Sequence, residues 1–229
     1  MILTAEENQW VTDRMEVYDI KYQEIYNELF DHVLTAIEAK RADGDTREIK
    51  VVFQDVVDSH FGGYLGIEEV AAGQEKALTS KIRKAFRAIL SSYLNWKILV
   101  FTVVAMGLTC SLPDSKFKHN VLLVVIFLFA FSPMVYAAIF VNKKVKTAKG
   151  KRSLLKGQLI SQAYLPVIFL NGALYLPTIF FVDDVSSTGF KLYKQLPLPA
   201  LMLVAVVFMV LNLSTIALCK QFIRKEMGR

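Results

Sequence analysis

The sequence predicts an all-α, polytopic membrane protein: four transmembrane helices preceded by a small cytoplasmic helical domain. Three observations predict it. Residues 96–112, 121–141, 159–182 and 198–218 are long apolar runs that hold no Asp, Glu, Lys, Arg or His apart from Lys97, and a bilayer core needs about 20 such residues per helix. Basic residues gather at only one end of each run. The first 75 residues, by contrast, are polar and carry helical periodicity.

Along the chain, Thr4 with Glu7 three residues on forms a capping-box pattern that opens a first helix running to about Tyr18, with Trp10, Val11 and Met15 close together. Asp19 is the expected cap of a second helix. Its stripe is Tyr22, Ile25, Tyr26, Leu29, Val33, Ala36 and Ile37, at three- and four-residue steps, and Gly44 ends it. Asp45 or Thr46 is expected to cap a third helix that turns Ile49, Val52, Phe53, Val56, Val57, His60 and Phe61 inward before Gly62 and Gly63 stop it. These residues make a three-helix head over 1–66, marginal in size for a core of its own.

A fourth amphipathic helix is expected from about Ile67 to residue 95. Leu78, Ile82, Ala85, Phe86, Ile89, Leu90 and Tyr93 lie on one face, and Lys81, Arg83, Lys84 and Arg87 lie off it. It either continues straight into the first span, which the lack of an intervening proline favours, or lies in the headgroup plane and bends near Asn95. The transmembrane domain then occupies 96–218, and 219–229 form a basic tail.

Orientation follows from the flanks. Lys143, Lys144, Lys146, Lys149, Lys151, Arg152 and Lys156 crowd between the second and third spans without an acid, whereas the loops at about 113–120 and 183–197 are poorer in cations. Short Lys/Arg-rich loops stay in the cytoplasm, which places both termini inside. No apolar run precedes residue 94, so no signal peptide is expected. Residues 1–75 hold 6 basic and 17 acidic residues, and 76–229 hold 21 basic and 4 acidic. An acidic head argues against a nucleic-acid partner, since phosphate contacts need Lys and Arg. Cys110 and Cys219 fall at opposite ends of spans and cannot pair across a core of about 30 Å.

Sites for chemistry are sparse. Glu28 and His32 are four apart on one helix face, near Asp31, and with Asp58 and His60 they are the weak metal candidates. Zinc sites want three or four ligands in a tight set, and the expected role of Asp31 and His32 is hydrogen bonding or solvation. His60 suits a helix C-terminus. Asn171 and Asn212 lie near mid-span, expected to bond between helices, with a ligand site as the alternative. Pro166 and Pro177 bracket Asn171 and predict a kinked or broken third span, and Pro133 after Ser132 predicts a kink in the second. No ionisable group lies deep in a span, which argues against a proton relay or an intramembrane protease.

The stretch 22–38, YQEIYNELFDHVLTAIE, followed by Phe61-Gly62-Gly63 and Gly66-Ile67-Glu68, resembles small multi-pass inner-membrane proteins of Bacteroidota. Those carry an ELxDHxxxxIE-like helix and an FGGxxGIE-like turn on an N-terminal helical head that is distantly similar to HAAS-type domains. The resemblance covers mainly residues 1–75. It implies a bacterial inner membrane and marks Glu28, Asp31, His32, Glu38, Gly62, Gly63 and Gly66 as positions to follow. It implies no cofactor.

The functional expectation is a non-enzymatic accessory, interaction or signalling subunit. Its acidic head would bind a partner or its own basic inner loop, with Lys143, Lys144, Lys146, Lys149, Lys151 and Arg152 on the basic side, and its spans would sit beside another membrane protein or a second copy. The alternatives are a small transporter or permease subunit using the third span, and a metal-binding sensor or enzyme in the head.

Overall fold

A computed structural model describes residues 3–111, 113, 115–148, 150–181 and 196–227, with the side chains of 174–181 and 225–227 outside the described set. Lys149, most of the expected outer loop at 183–197 and the side chain of Pro177 therefore lie outside it. Most of the described residues are helical: α1 (Ala5–Met15), α2 (Gln23–Ala42), α3 (Ile49–Phe61), α4 (Tyr64–Tyr93), α5 (Trp96–Ser111), α6 (Lys116–Tyr136), α7 (Leu154–Phe181) and α8 (Leu198–Met227). They form two compact units, Met1–Lys81 with Lys146–Leu155, and Ile82–Val145 with Lys156–Arg229.

In the first unit α1 opens on the capping box that the sequence predicts. The Glu7 N–H donates to Thr4 Oγ1 at 3.2 Å and the Thr4 N–H donates to Glu7 Oε2 at 3.0 Å, which satisfies two of the helix's orphan donors. The core is Val11 and Met15 from α1, Ile25, Leu29, Val33 and Ile37 from α2, Val52, Phe53, Val56 and Val57 from α3, and Ile67 from α4. Trp10 meets Phe53 edge-on with ring centroids 5.5 Å apart. Arg41 draws the ends together: its guanidinium binds Glu7 Oε1 at 2.6 Å and the carbonyls of Asp45 and Arg47 at 2.7 Å each.

Several boundaries differ from the sequence pattern. Asp19 does not cap α2; the helix starts at Gln23 with Tyr22 before it, and Asp19 is exposed with only a 3.8 Å ion pair to Lys21. Neither Asp45 nor Thr46 caps α3, which follows Glu48 without a side-chain cap, because Asp45 is engaged by the backbone and guanidinium of Arg47. His60 is exposed rather than inward. The head also runs past residue 66, since α4 begins at Tyr64 and the fully buried Ile67 belongs to the head core.

The glycines of the FGGxxG turn make that early start possible. Gly62 takes φ +73° and Gly63 φ +96°, left-handed values that favour glycine. A Cβ on Gly66 would stand 1.5 Å from the Phe61 carbonyl oxygen. Only a hydrogen at Gly66 lets α4 leave directly against the end of α3.

In the second unit α4 does not continue straight into α5. The chain bends by 55° between them, and Asn95 builds the bend. Its Oδ1 accepts from the N–H groups of Lys97 (3.0 Å) and Ile98 (3.2 Å), an N-cap for α5 that ends α4 without a proline. Ser115 caps α6, which passes Pro133 and continues through a π-helical turn at Ala137–Val141 into Asn142–Lys144. The helix α8 packs along α6 and α5. Leu123, Ile126 and Ala130 of α6, Leu170 of α7, and Leu201, Ala205 and Phe208 of α8 share one apolar cluster. Among the described residues two helices, Lys116–Lys144 and Leu198–Arg224, are long and apolar enough to cross a membrane, and α4 with α5 adds a third if the bent pair is one span. Of the kink or break expected in the third run, there is no break: α7 is one helix through Pro166 and Pro177. The expected separate tail is likewise the end of α8, with Cys219, Phe222 and Ile223 buried.

Candidate functional site

The first unit contains a segment from far along the sequence. Residues 150–155, the end of the basic inner loop, lie in the head against the 16–26 stretch. Tyr22 and Arg152 pair as a single parallel β-bridge: the Arg152 N–H donates to the Lys21 carbonyl at 3.0 Å, and the Gln23 N–H donates to the Arg152 carbonyl at 2.9 Å. The Lys151 ammonium donates to the Ile20 carbonyl at 3.1 Å and stands 4.2 Å from the centre of the Tyr26 ring, a cation–π contact.

The grip is completed by Glu24. Its carboxylate accepts from the hydroxyl of Ser153, from the Leu154 N–H at 3.0 Å and from the Leu155 N–H at 3.3 Å. Leu154 and Leu155 are the first residues of α7. The first four N–H groups of a helix lack intrahelical partners and carry the positive end of its dipole, so a carboxylate placed there satisfies orphan donors and meets favourable charge. Leu154 then enters the head core, 3% exposed. Burial also pushes the Tyr26 hydroxyl above its ordinary range. A polar cleft of about 790 Å³ lies beside the junction, lined by Glu16, Tyr18, Asp19, Lys21, Lys151 and Arg152 among others.

The sequence pattern expected the cations of the inner loop, Lys151 and Arg152 among them, to face the acidic head. Lys143, Lys144 and Lys146 are exposed and make no described ion pair, and Arg152 contributes its backbone while its side chain is exposed. Of the described candidate cations, Lys143, Lys144, Lys146, Lys151 and Arg152, it is Lys151 that uses its charge in the junction. The physical reason is that the loop is held by backbone donors and one carboxylate rather than by summed charge. Glu24, Tyr26 and Ser153 were the residues missed. A Ser directly before Leu154 has the look of a helix N-cap, the one local signal available.

The other candidates are scattered. Glu28, Asp31, His32, Glu38 and His60 are all exposed, and among the described residues no group of three or more His, Cys, Asp or Glu could hold a metal. Asn212 is 7% exposed, and its amide donates to the Phe129 carbonyl at 3.0 Å and to the Ser132 hydroxyl. Pro133 has no N–H to offer the Phe129 carbonyl four residues back, so Asn212 satisfies an acceptor that the proline leaves free. Asn171, by contrast, is exposed on α7. An apolar cleft of about 630 Å³ along α6 is lined by Phe127, Phe131, Tyr136, Phe140 and Ile216 among others, with no charged side chain.

The junction and the Asn212 bond define a class: a helical protein with spans apolar enough for a membrane and a head that holds one of its own connecting loops. Comparison with family models, with curated proteins and with solved structures returned no match.

Proposed function

We propose that this chain is a four-span protein of a bacterial inner membrane, with head and both termini cytoplasmic, acting as a non-enzymatic interaction or signalling subunit whose head clamps its own inner loop. The observation that carries the reading is the Glu24 carboxylate on the first amides of α7. A head that grips the start of a membrane helix is placed to couple cytoplasmic events to that helix. Four apolar runs and the cation-rich inner loop support the topology, and the likeness of residues 22–38 and 61–68 to Bacteroidota membrane proteins supports the compartment. A partner, either another membrane protein or a second copy, would read the head with the loop docked or released.

The permease reading rested on a broken third span, and the unbroken α7 removes that support. The metal reading rested on Glu28, His32 and His60, which are exposed.

The test is Glu24→Ala in the full-length protein, after cysteine labelling has confirmed that the loop keeps its side of the membrane. Three charge-assisted bonds to a helix N-terminus are together worth about 2 kcal/mol, so tryptic cleavage after Lys151 and Arg152 should quicken roughly 30-fold. Cleavage at the wild-type rate would remove the clamp from the proposal.

A further inference from the structure

Residues 76–113 hold Lys76, Lys81, Arg83, Lys84, Arg87 and Lys97 and no Asp or Glu. At about 100° per residue, Arg83 and Arg87 share one side of α4 with Lys84 beside them, opposite Ile82, Phe86 and Ile89. Ile82 and Phe86 are buried, whereas Arg83, Lys84 and Arg87 are exposed. The apolar side of this segment is already covered, so what it displays is charge. Among the described residues no carboxylate lies within ion-pair distance of these cations.

About two turns further on, the Asn95 cap redirects the chain into the apolar α5. At that elbow Leu94 is 65% and Trp96 71% exposed, with Lys97 exposed beside them. Trp is enriched at the level of lipid headgroups, where its ring meets hydrocarbon and its N–H meets water. Cations within a Debye length of an anionic leaflet are drawn to it. An acidic protein segment would match the cations but not the bare Leu94 and Trp96 beside them; a phospholipid matches both.

We infer that the α4–α5 elbow is a binding surface for anionic phospholipid, with Arg83, Lys84, Arg87 and Lys97 on the phosphates and Trp96 at the headgroup boundary. This rests on reading α5 as entering a membrane. The chain has two tryptophans, so Trp10→Phe leaves Trp96 as sole reporter. The full-length variant is reconstituted in vesicles of equal phosphatidylglycerol and phosphatidylcholine, with one or the other lipid brominated. Quenching of Trp96 by brominated phosphatidylglycerol should exceed that by brominated phosphatidylcholine at least about twofold, and R83Q/K84Q/R87Q should erase the difference. Equal quenching by both lipids in the parent protein would overturn the inference, leaving the cations to a protein partner, while the membrane reading stands. Quenching by neither would overturn both. Because Trp10 packs on Phe53, a second measurement uses no substitution in the head: phosphatidylglycerol retained by the wild-type protein through detergent purification, against the R83Q/K84Q/R87Q variant. Equal retention also counts against the surface.

Discussion

Asn212 and Pro133 show how one residue's deficit sets another's role. Pro133 deprives the Phe129 carbonyl of its intrahelical donor, and the Asn212 amide supplies one from α8 at 3.0 Å. Asn212→Ala should therefore destabilise the second unit by about 1 kcal/mol, read as a lowered unfolding midpoint in detergent. Pro133→Ala restores the N–H. In that background Asn212→Ala should cost much less, because the carbonyl then has its own partner. Equal costs in both backgrounds would show that the bond to Ser132, not the proline's deficit, is what matters. A mid-span Asn is visible in a sequence, and so is a Pro; that they answer one another across 79 positions is not. The same holds at the head, where Thr4 and Glu7 were legible as a capping box because their partners are three residues apart, while Glu24 and Leu154 were not, because the bond joins a carboxylate to a backbone N–H 130 residues away. Any residue has an amide, so nothing in the identity of Leu154 advertises the contact.

Helices were legible where an apolar stripe is local. The buried residues of α2, Ile25, Tyr26, Leu29, Val33 and Ile37, are the stripe that spacing predicts. Boundaries were less so, since Asp19, Asp45 and Thr46 are all competent caps by type and the choice is made by tertiary partners such as Arg47. The passage from α3 to α4 is the sharpest case. Its three glycines read alike in the sequence but do different things. Gly62 supplies a left-handed φ, and Gly66 supplies room against a backbone atom. Gly62→Ala should cost about 1 kcal/mol, the usual penalty for a side chain in that region. Gly66→Ala should cost about 3 kcal/mol or more, because the Phe61 carbonyl cannot yield as a flexible side chain would. Denaturant midpoints of the two variants, followed by Trp10 emission, rank them. A Gly66→Ala protein as stable as Gly62→Ala would mean that α4 can start later without penalty to the head.

At the scale of the whole molecule the two units are held by different physics, and acid should separate them. The carboxylates lowered from their ordinary values lie in the head. Asp45 sits at about 2, held down from 3.8 first by the side-chain bonds of Arg47. Asp55 is lowered first by Lys40, and Glu7, from 4.5, first by the Thr4 backbone N–H. A folded-state value below the unfolded one means that the unfolded chain binds protons more readily. The stabilisation is therefore complete above about pH 4.5 and is lost as pH falls through the window between about 4.5 and 2. The four apolar runs hold no Asp or Glu, so packing among α5, α6 and α8 has no such dependence. In a Trp96→Phe protein, Trp10 lies against Phe53 in the head core and reports that unit alone. Its emission should shift to the red across that window while most of the helical circular dichroism survives. Because these carboxylates are only partly buried, added salt should shrink the pH effect on the head by screening the Arg47 and Lys40 pairs. Loss of helicity in step with the Trp10 change would mean that head and spans unfold as one, and that the loop seated on Glu24 binds them into a single cooperative unit.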